Sequence, residues 1–149
     1  MPRIGADRIA PVRKSVTVRW DQATAFRRFT ERIADWWPVA THSVCKSGEG
    51  TVTLEPRIGG RLYEAAPDGT EHPWGTVTEW DPPHRVAFTW HPGRPVDTRQ
   101  EVAIAFRPAG AGCRLDLVHT GWERLGERGA ETRAGYVTGW DFVLGRFAG

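Results

Sequence analysis

Five histidines and two cysteines are the side chains whose chemistry changes near neutral pH or on oxidation, so they are the first candidates for a reactive centre. His119 closes a run, Arg114 to His119, whose alternation sets it on the same strand face as Leu115 and Leu117. An imidazole there meets the interior. It serves either as a core histidine satisfied by a neighbour or as a polar anchor and general acid–base inside a cavity. His42 falls in a loop expected to cap the mouth of such a cavity, and is a ligand-contact candidate. His72, His84 and His91 fall in turns or at strand ends and are expected in solvent.

Other chemistries find less support. The histidines are dispersed without HxH or HExxH, and Cys45 and Cys113 share no CxxC spacing, so neither a metal site nor a cofactor is expected. The cysteines are expected as free thiols. Nothing of GxSxG type occurs, and Cys45 beside Lys46 is the thiol candidate that remains. Glu64 and Glu101 are strand carboxylates, expected at the surface unless a bulge turns one inward. Ile58-Gly59-Gly60 lacks a following helix and reads as a hairpin rather than a phosphate loop.

Eight tryptophans pose the second question, whether they pack or bind. Indoles are large, and a small sheet–helix interface has difficulty burying many of them without gaps. Small-molecule cavities are apolar, aromatic and supplied with a few polar groups. The cavity candidates are Trp37, Trp74, Trp90, Trp122 and Trp140, with Tyr63, Phe88 and Tyr136; core packing is the competing reading.

These residues need elements to hold them. Glu127 to Phe147 lacks proline, and Tyr136, Trp140, Val143, Leu144 and Phe147 share one face at helical spacing. Gly135 and Gly139 lie one turn apart beside that stripe, either for close packing or to leave cavity volume. Residues 1–11 read as a loose arm. Val12 to Trp20 alternates as a strand, Asp21 caps a helix over 23–34, and Pro38 stops it. Residues 38–50 read as a loop or a short second helix. Strands are expected over 51–55, 61–65, 73–80, 85–90, 100–106 and 114–119, joined by hairpin-length turns and therefore antiparallel. The expected class is α+β: a curved antiparallel sheet of about six to seven strands around a long C-terminal helix.

Bulk properties exclude several classes. The chain of 149 residues fits one domain, and a net charge of +2 without a basic run argues against nucleic acid. Pro2 to Lys14 has no apolar h-region, and no apolar run nears the roughly 20 residues that span a bilayer. A cytoplasmic protein without membrane insertion is expected.

The stretches FRRFTERIADWWPVATHS, EPRIGGRLYE, HPWGTVTEWDPPHRVAFTWHPG and LVHTGWERLGERGAETRAGYVTGWDFVLGRF resemble bacterial members of the SRPBCC superfamily. More closely they resemble its Activator of Hsp90 ATPase homologue 1-like group, from about Val12 onwards. The resemblance implies the helix-grip fold, also called START-like or Bet v 1-like, with an elongated apolar cavity between sheet and helix. It also implies binding of a small hydrophobic molecule, or cyclase or dehydratase chemistry in the same cavity. A third expectation is a protein-interaction module with a chaperone partner. The eukaryotic co-chaperone's separate N-terminal domain has no counterpart in this length. Homodimerisation is compatible with the sequence, which offers no patch that marks an interface.

Overall fold

The structure, a computed structural model, describes residues 9–46 and 48–149. Seven strands form a single sheet in the order β1-β7-β6-β5-β4-β3-β2, every neighbour antiparallel. They are β1 (Val12–Val18), β2 (Thr51–Leu54), β3 (Arg61–Ala65), β4 (Glu71–Asp81), β5 (Arg85–Trp90), β6 (Gln100–Ala109) and β7 (Gly112–Thr120). Helix α1 (Gln22–Thr30) follows β1, and helix α2 (Gly129–Ala148) ends the chain. The fold is α+β and is the helix-grip arrangement.

The strands exist because their period-2 pattern separates two faces. In β7 the buried side chains are Cys113, Leu115, Leu117 and His119; in β6 they are Gln100, Val102, Ile104 and Phe106. Arg114 and Glu101 alternate with them on the outer face. That one-sided burial is what an antiparallel sheet covered by helices on one side requires. Lys14 has inner parity on β1, and its ammonium reaches Asp141 of α2 at 3.0 Å, tying sheet to helix.

Two irregularities bend the sheet. Between β3 and β4, Leu62 pairs Gly75 but Tyr63 pairs Pro73, so Trp74 is an extra residue on β4. Between β4 and β5 a second shift leaves Thr78 unpaired between Val77 and Glu79. Such bulges increase local twist and re-aim a side chain. The first makes Trp74 and Gly75 consecutive buried residues, which alternation alone would forbid.

The helices depart from the sequence expectation at their ends. Asp21 caps α1, its carboxylate accepting from Thr24 N–H at 2.8 Å. The helix stops at Thr30 rather than at 34, and Ile33–Asp35 forms a separate 3-10 turn that aims Trp36 and Trp37 into the interior. Residues 38–46 contain no second helix. Before α2, Trp122–Arg128 is a 3-10 segment broken at Gly126, whose φ of 64° is left-handed. The α-helix therefore begins at Gly129, not 127.

The expected loose arm at 1–11 falls largely outside the described residues. Its described end is held. Ile9 packs against the core, and Arg133 of α2 donates to the carbonyls of Ala10 and Pro11 at 2.6 and 2.9 Å.

Gly75 sits where the bulge brings β4 against β5. A Cβ there would overlap the Thr89 carbonyl. Gly75→Ala is therefore expected to lower stability by at least about 2 kcal/mol, as overpacking does. Urea unfolding checks this, with Gly145→Ala, where the added Cβ meets open space, expected to be neutral or stabilising.

Candidate functional site

Seven of the eight tryptophans divide into two groups, and Trp122, the eighth, stacks on His119. Trp20, Trp36 and Trp80 join Phe26, Phe29, Phe106 and Phe147 in an aromatic core under α1, with ring centroids mostly 5–6 Å apart. Trp37, Trp74, Trp90 and Trp140 form a second cluster, at 5.2 Å for Trp37–Trp74 and 5.4 Å for both Trp74–Trp90 and Trp90–Trp140. This second cluster walls a cavity of about 450 Å³ that opens between α2, the 41–46 loop and the turn after β5. One set therefore packs in a core, and the other lines a cavity.

The remaining wall is helix backbone. Gly135 and Gly139 face the cavity, and a Cβ at either would meet no atom within 4 Å. They do not serve close packing. They leave the space open.

Six of the ten sequence-predicted cavity residues line the opening: Trp37, His42, Trp74, Trp90, Tyr136 and Trp140. Phe88, Trp122 and His119 are fully buried behind that lining. Tyr63 belongs on neither list. Its strand neighbours Leu62 and Glu64 take the interior, and Tyr63 lies on the outer face with the Arg61 guanidinium 4.2 Å from its ring centroid. Adjacent Leu62 and Tyr63 were both apolar enough to face inward, and a one-residue choice of parity decided between them.

His119 is the structural hinge of the site rather than its reactive group. The Trp140 indole donates to Nδ1 at 3.0 Å, so Nε2 carries the proton and donates to the Gln100 side-chain carbonyl at 3.2 Å. Gln100 in turn donates to the Thr98 carbonyl at 2.7 Å. Trp122 stacks on the imidazole at 3.9 Å and donates to the His119 carbonyl at 3.0 Å. Burial pushes the His119 pKa down to about 3. A neutral imidazole with both nitrogens engaged by protein partners agrees with the first of the two readings of His119, a core histidine satisfied by its neighbours.

Every indole of the lining has also spent its N–H. Trp37 donates to the His42 carbonyl at 2.6 Å, Trp74 to Glu64 at 3.3 Å and Trp90 to the Tyr136 hydroxyl at 2.9 Å. Tyr136 accepts that bond and keeps its own O–H free of any protein acceptor among the described residues. Burial raises the Tyr136 pKa above the ordinary phenol value, so the hydroxyl stays protonated and donates.

Sequence reasoning underrated Glu64. It is fully buried and accepts from Val44 N–H at 2.8 Å, Cys45 N–H at 3.2 Å and the Trp74 indole. The carboxylate fastens the mouth loop to the sheet. Its signal was parity with Leu62. Glu101 stays exposed and faces Arg124 at 3.4 Å. Phe142 was also missed: it is exposed on α2 and stacks on His42 at 4.8 Å, closing one edge of the mouth.

The remaining titratable candidates are peripheral. Cys45 and Cys113 are free thiols, and burial raises the pKa of each, so Cys45 is not an activated nucleophile. His91 is buried, contrary to expectation, through contact of its ring with the Arg94 carbonyl. His72 is half-buried against Cys45 Sγ, and His84 is exposed beside Gln22. No group of three potential metal ligands occurs among the described residues. Among the described residues no helix is long and apolar enough to cross a membrane.

The family described as Activator of Hsp90 ATPase homolog 1-like protein matches residues 22–148. The chain belongs to that family. Among solved structures it is similar to the anthrahydroquino-γ-pyrone synthase Txn09, at 40% identity over 90% of this chain and 88% of that one, with a TM-score of 0.60. It is also similar to CalC from Micromonospora echinospora, a self-sacrificing resistance protein, at 30% identity, 93% and 92% coverage and TM-score 0.66. The Aha1 dimer from Colwellia psychrerythraea shares the fold at 12% identity, 94% coverage of each chain and TM-score 0.67. No curated protein sequence matches significantly.

The His119 geometry makes a pH prediction. With a folded pKa of about 3 against an unfolded value near 6.5, the unfolded state binds the proton first as pH falls. The associated stability is complete above pH 6.5 and is lost progressively toward pH 3. Between pH 7 and pH 5 the loss should be about 2 kcal/mol, read by urea unfolding. His119→Asn keeps an acceptor for Trp140, and should be less stable at pH 7 but lose less than half as much over the same interval.

Proposed function

We propose that this protein holds a small hydrophobic molecule in the cavity between its sheet and C-terminal helix. The observation that carries this reading is the cavity of about 450 Å³ walled by four indoles on one side and by the bare backbone of Gly135 and Gly139 on the other. A cavity with aromatic walls gains affinity by apolar burial, at about 25 cal/mol per Å². A helix that carries two glycines of low propensity without using them for packing spends stability on volume.

A second reading has its own support. Txn09, 40% identical, is a synthase, which favours a cyclase-type enzyme that transforms the molecule in the same place. With His119 neutral and enclosed, such chemistry would draw on Tyr136, whose hydroxyl is a donor left free in the lining. Native mass spectrometry divides the two readings. Under the binding reading the molecule captured from the host cell leaves the protein on prolonged incubation with unchanged mass and unchanged chromatographic retention, the second of which also registers a cyclisation that conserves mass. A change in either that Tyr136→Phe abolishes supports the enzyme.

The glycines test occupancy itself. Gly139→Leu should abolish the captured adduct in native mass spectrometry, while Gly145→Leu, on the same helix but away from the cavity, should retain it. Both should unfold at or above the parent's midpoint, since each replaces a helical glycine, a gain of up to about 0.8 kcal/mol. An adduct retained at full strength in Gly139→Leu would sink the reading, because a normal midpoint excludes unfolding as the explanation.

A further inference from the structure

The hydrogen-bonding inventory of the lining constrains the ligand's chemistry, given the binding reading above. All four lining indoles have their N–H groups engaged with the protein. The Ser43 hydroxyl donates to the Val39 carbonyl, and the Thr41 hydroxyl is engaged with His42 Nδ1 at 2.7 Å. What remains on the wall is the Tyr136 O–H, polarised by the indole N–H it accepts from Trp90, the Lys46 ammonium, and the Thr132 hydroxyl, which can donate or accept; the first two act only as donors toward a ligand.

Charge points the same way. Among the described residues no Asp or Glu lines the cavity. Glu64 stands behind Trp74 with its oxygens turned to the Val44 and Cys45 N–H groups and the Trp74 indole. Lys46 acts on His42 through its positive charge, and Arg94 acts likewise on Tyr136. Neither cation has an ion-pair partner among the described residues.

Backbone geometry sets Lys46 deliberately. Its φ of 53° is left-handed, a region uncommon for a residue with a Cβ. The Ser43 hydroxyl holds it there by accepting the Lys46 N–H at 2.8 Å, on the loop that Glu64 anchors two residues earlier. Strain of this kind persists where surrounding structure over-determines it.

We propose that the ligand is a planar aromatic compound bearing an ionised oxygen, an aryl carboxylate or phenolate, with its rings against Trp37, Trp90 and Trp140. Tyr136 donates to a ligand oxygen, and Lys46 selects the negative charge. Both are specificity-determining residues. Unsubstituted hydrocarbons and cationic aromatics are disfavoured, the first for lack of an acceptor at Tyr136 and the second by Lys46 and Arg94.

Equilibrium dialysis with four matched probes tests this: 2-naphthoate, 2-acetylnaphthalene, 2-methylnaphthalene and 2-naphthylmethylammonium. The expected order of affinity is naphthoate, then the ketone, then the hydrocarbon, with the ammonium weakest and naphthoate about 10-fold or more above the hydrocarbon. Tyr136→Phe should weaken naphthoate and ketone about 3- to 10-fold and leave the hydrocarbon unchanged. Lys46→Met should weaken naphthoate alone, and so should raised salt. Lys46 is exposed, so its variant tests the charge without disturbing the core. Equal affinities across the series, or an equal loss for all probes in folded Tyr136→Phe, would overturn the proposal while leaving the cavity reading intact. Tighter binding of the ammonium than of naphthoate would do the same. Failure of every probe to bind would overturn both.

Discussion

The N–H of Trp140 has one acceptor, a histidine nitrogen sealed from water, and the site depends on that bond. Through it α2 is fixed in rotation against β7. With the imidazole committed as an acceptor at Nδ1, its other nitrogen must donate, and Gln100 is buried on the neighbouring strand to receive it. Protonation of His119 would set two donors face to face at the Trp140 bond. Burial that keeps the ring neutral and the bond that needs it neutral therefore reinforce each other. Trp122, stacked on the same ring, brings the 3-10 segment before α2 into the arrangement. A residue that looks from its type like a catalyst is here the pin on which the helix is set.

Once α2 is fixed, the direction its glycines face becomes decisive. The stripe of Trp140, Val143, Leu144 and Phe147 is buried, while Gly135 and Gly139 turn toward the cavity with Tyr136 and Thr132. The helix is thus anchored by its C-terminal half and left open along its N-terminal half. Apolar burial supplies the first half with much of its stability, so the second can leave the two glycine positions without side-chain packing.

The mouth is governed by a carboxylate. Glu64 sits on an inner position of β3, which would be unfavourable for a charge without partners. Three N–H donors supply them, two from the loop that carries Lys46 and one from a cavity indole. The same group that makes an inward Glu tolerable therefore orders the loop at the entrance. The bulge at Trp74 is a condition of this, because it turns the indole inward beside Gly75 and within reach of the carboxylate.

Much of this was legible in the chain. Period-2 alternation together with the turn residues placed the strands, and alternation gave the inward facing of His119. The turn residues gave antiparallel connections, and the helical stripe gave α2 its buried face. Those signals are local, and each is set by where apolar groups must go. The two classes of tryptophan were not legible, because an indole in a phenylalanine-rich core and one on a cavity wall have the same local pattern. Tyr63 and Glu64 were exchanged for a related reason: hydrophobicity favoured the tyrosine inside, and only loop donors arriving from about twenty residues away made room for the glutamate. The helix glycines carried two meanings until the sheet's distance from α2 was known. By itself the sequence determined which faces are apolar, and hence the fold. What stands opposite each buried polar group was decided in three dimensions, because hydrogen bonds and empty volume are properties of pairs of surfaces that meet only after folding.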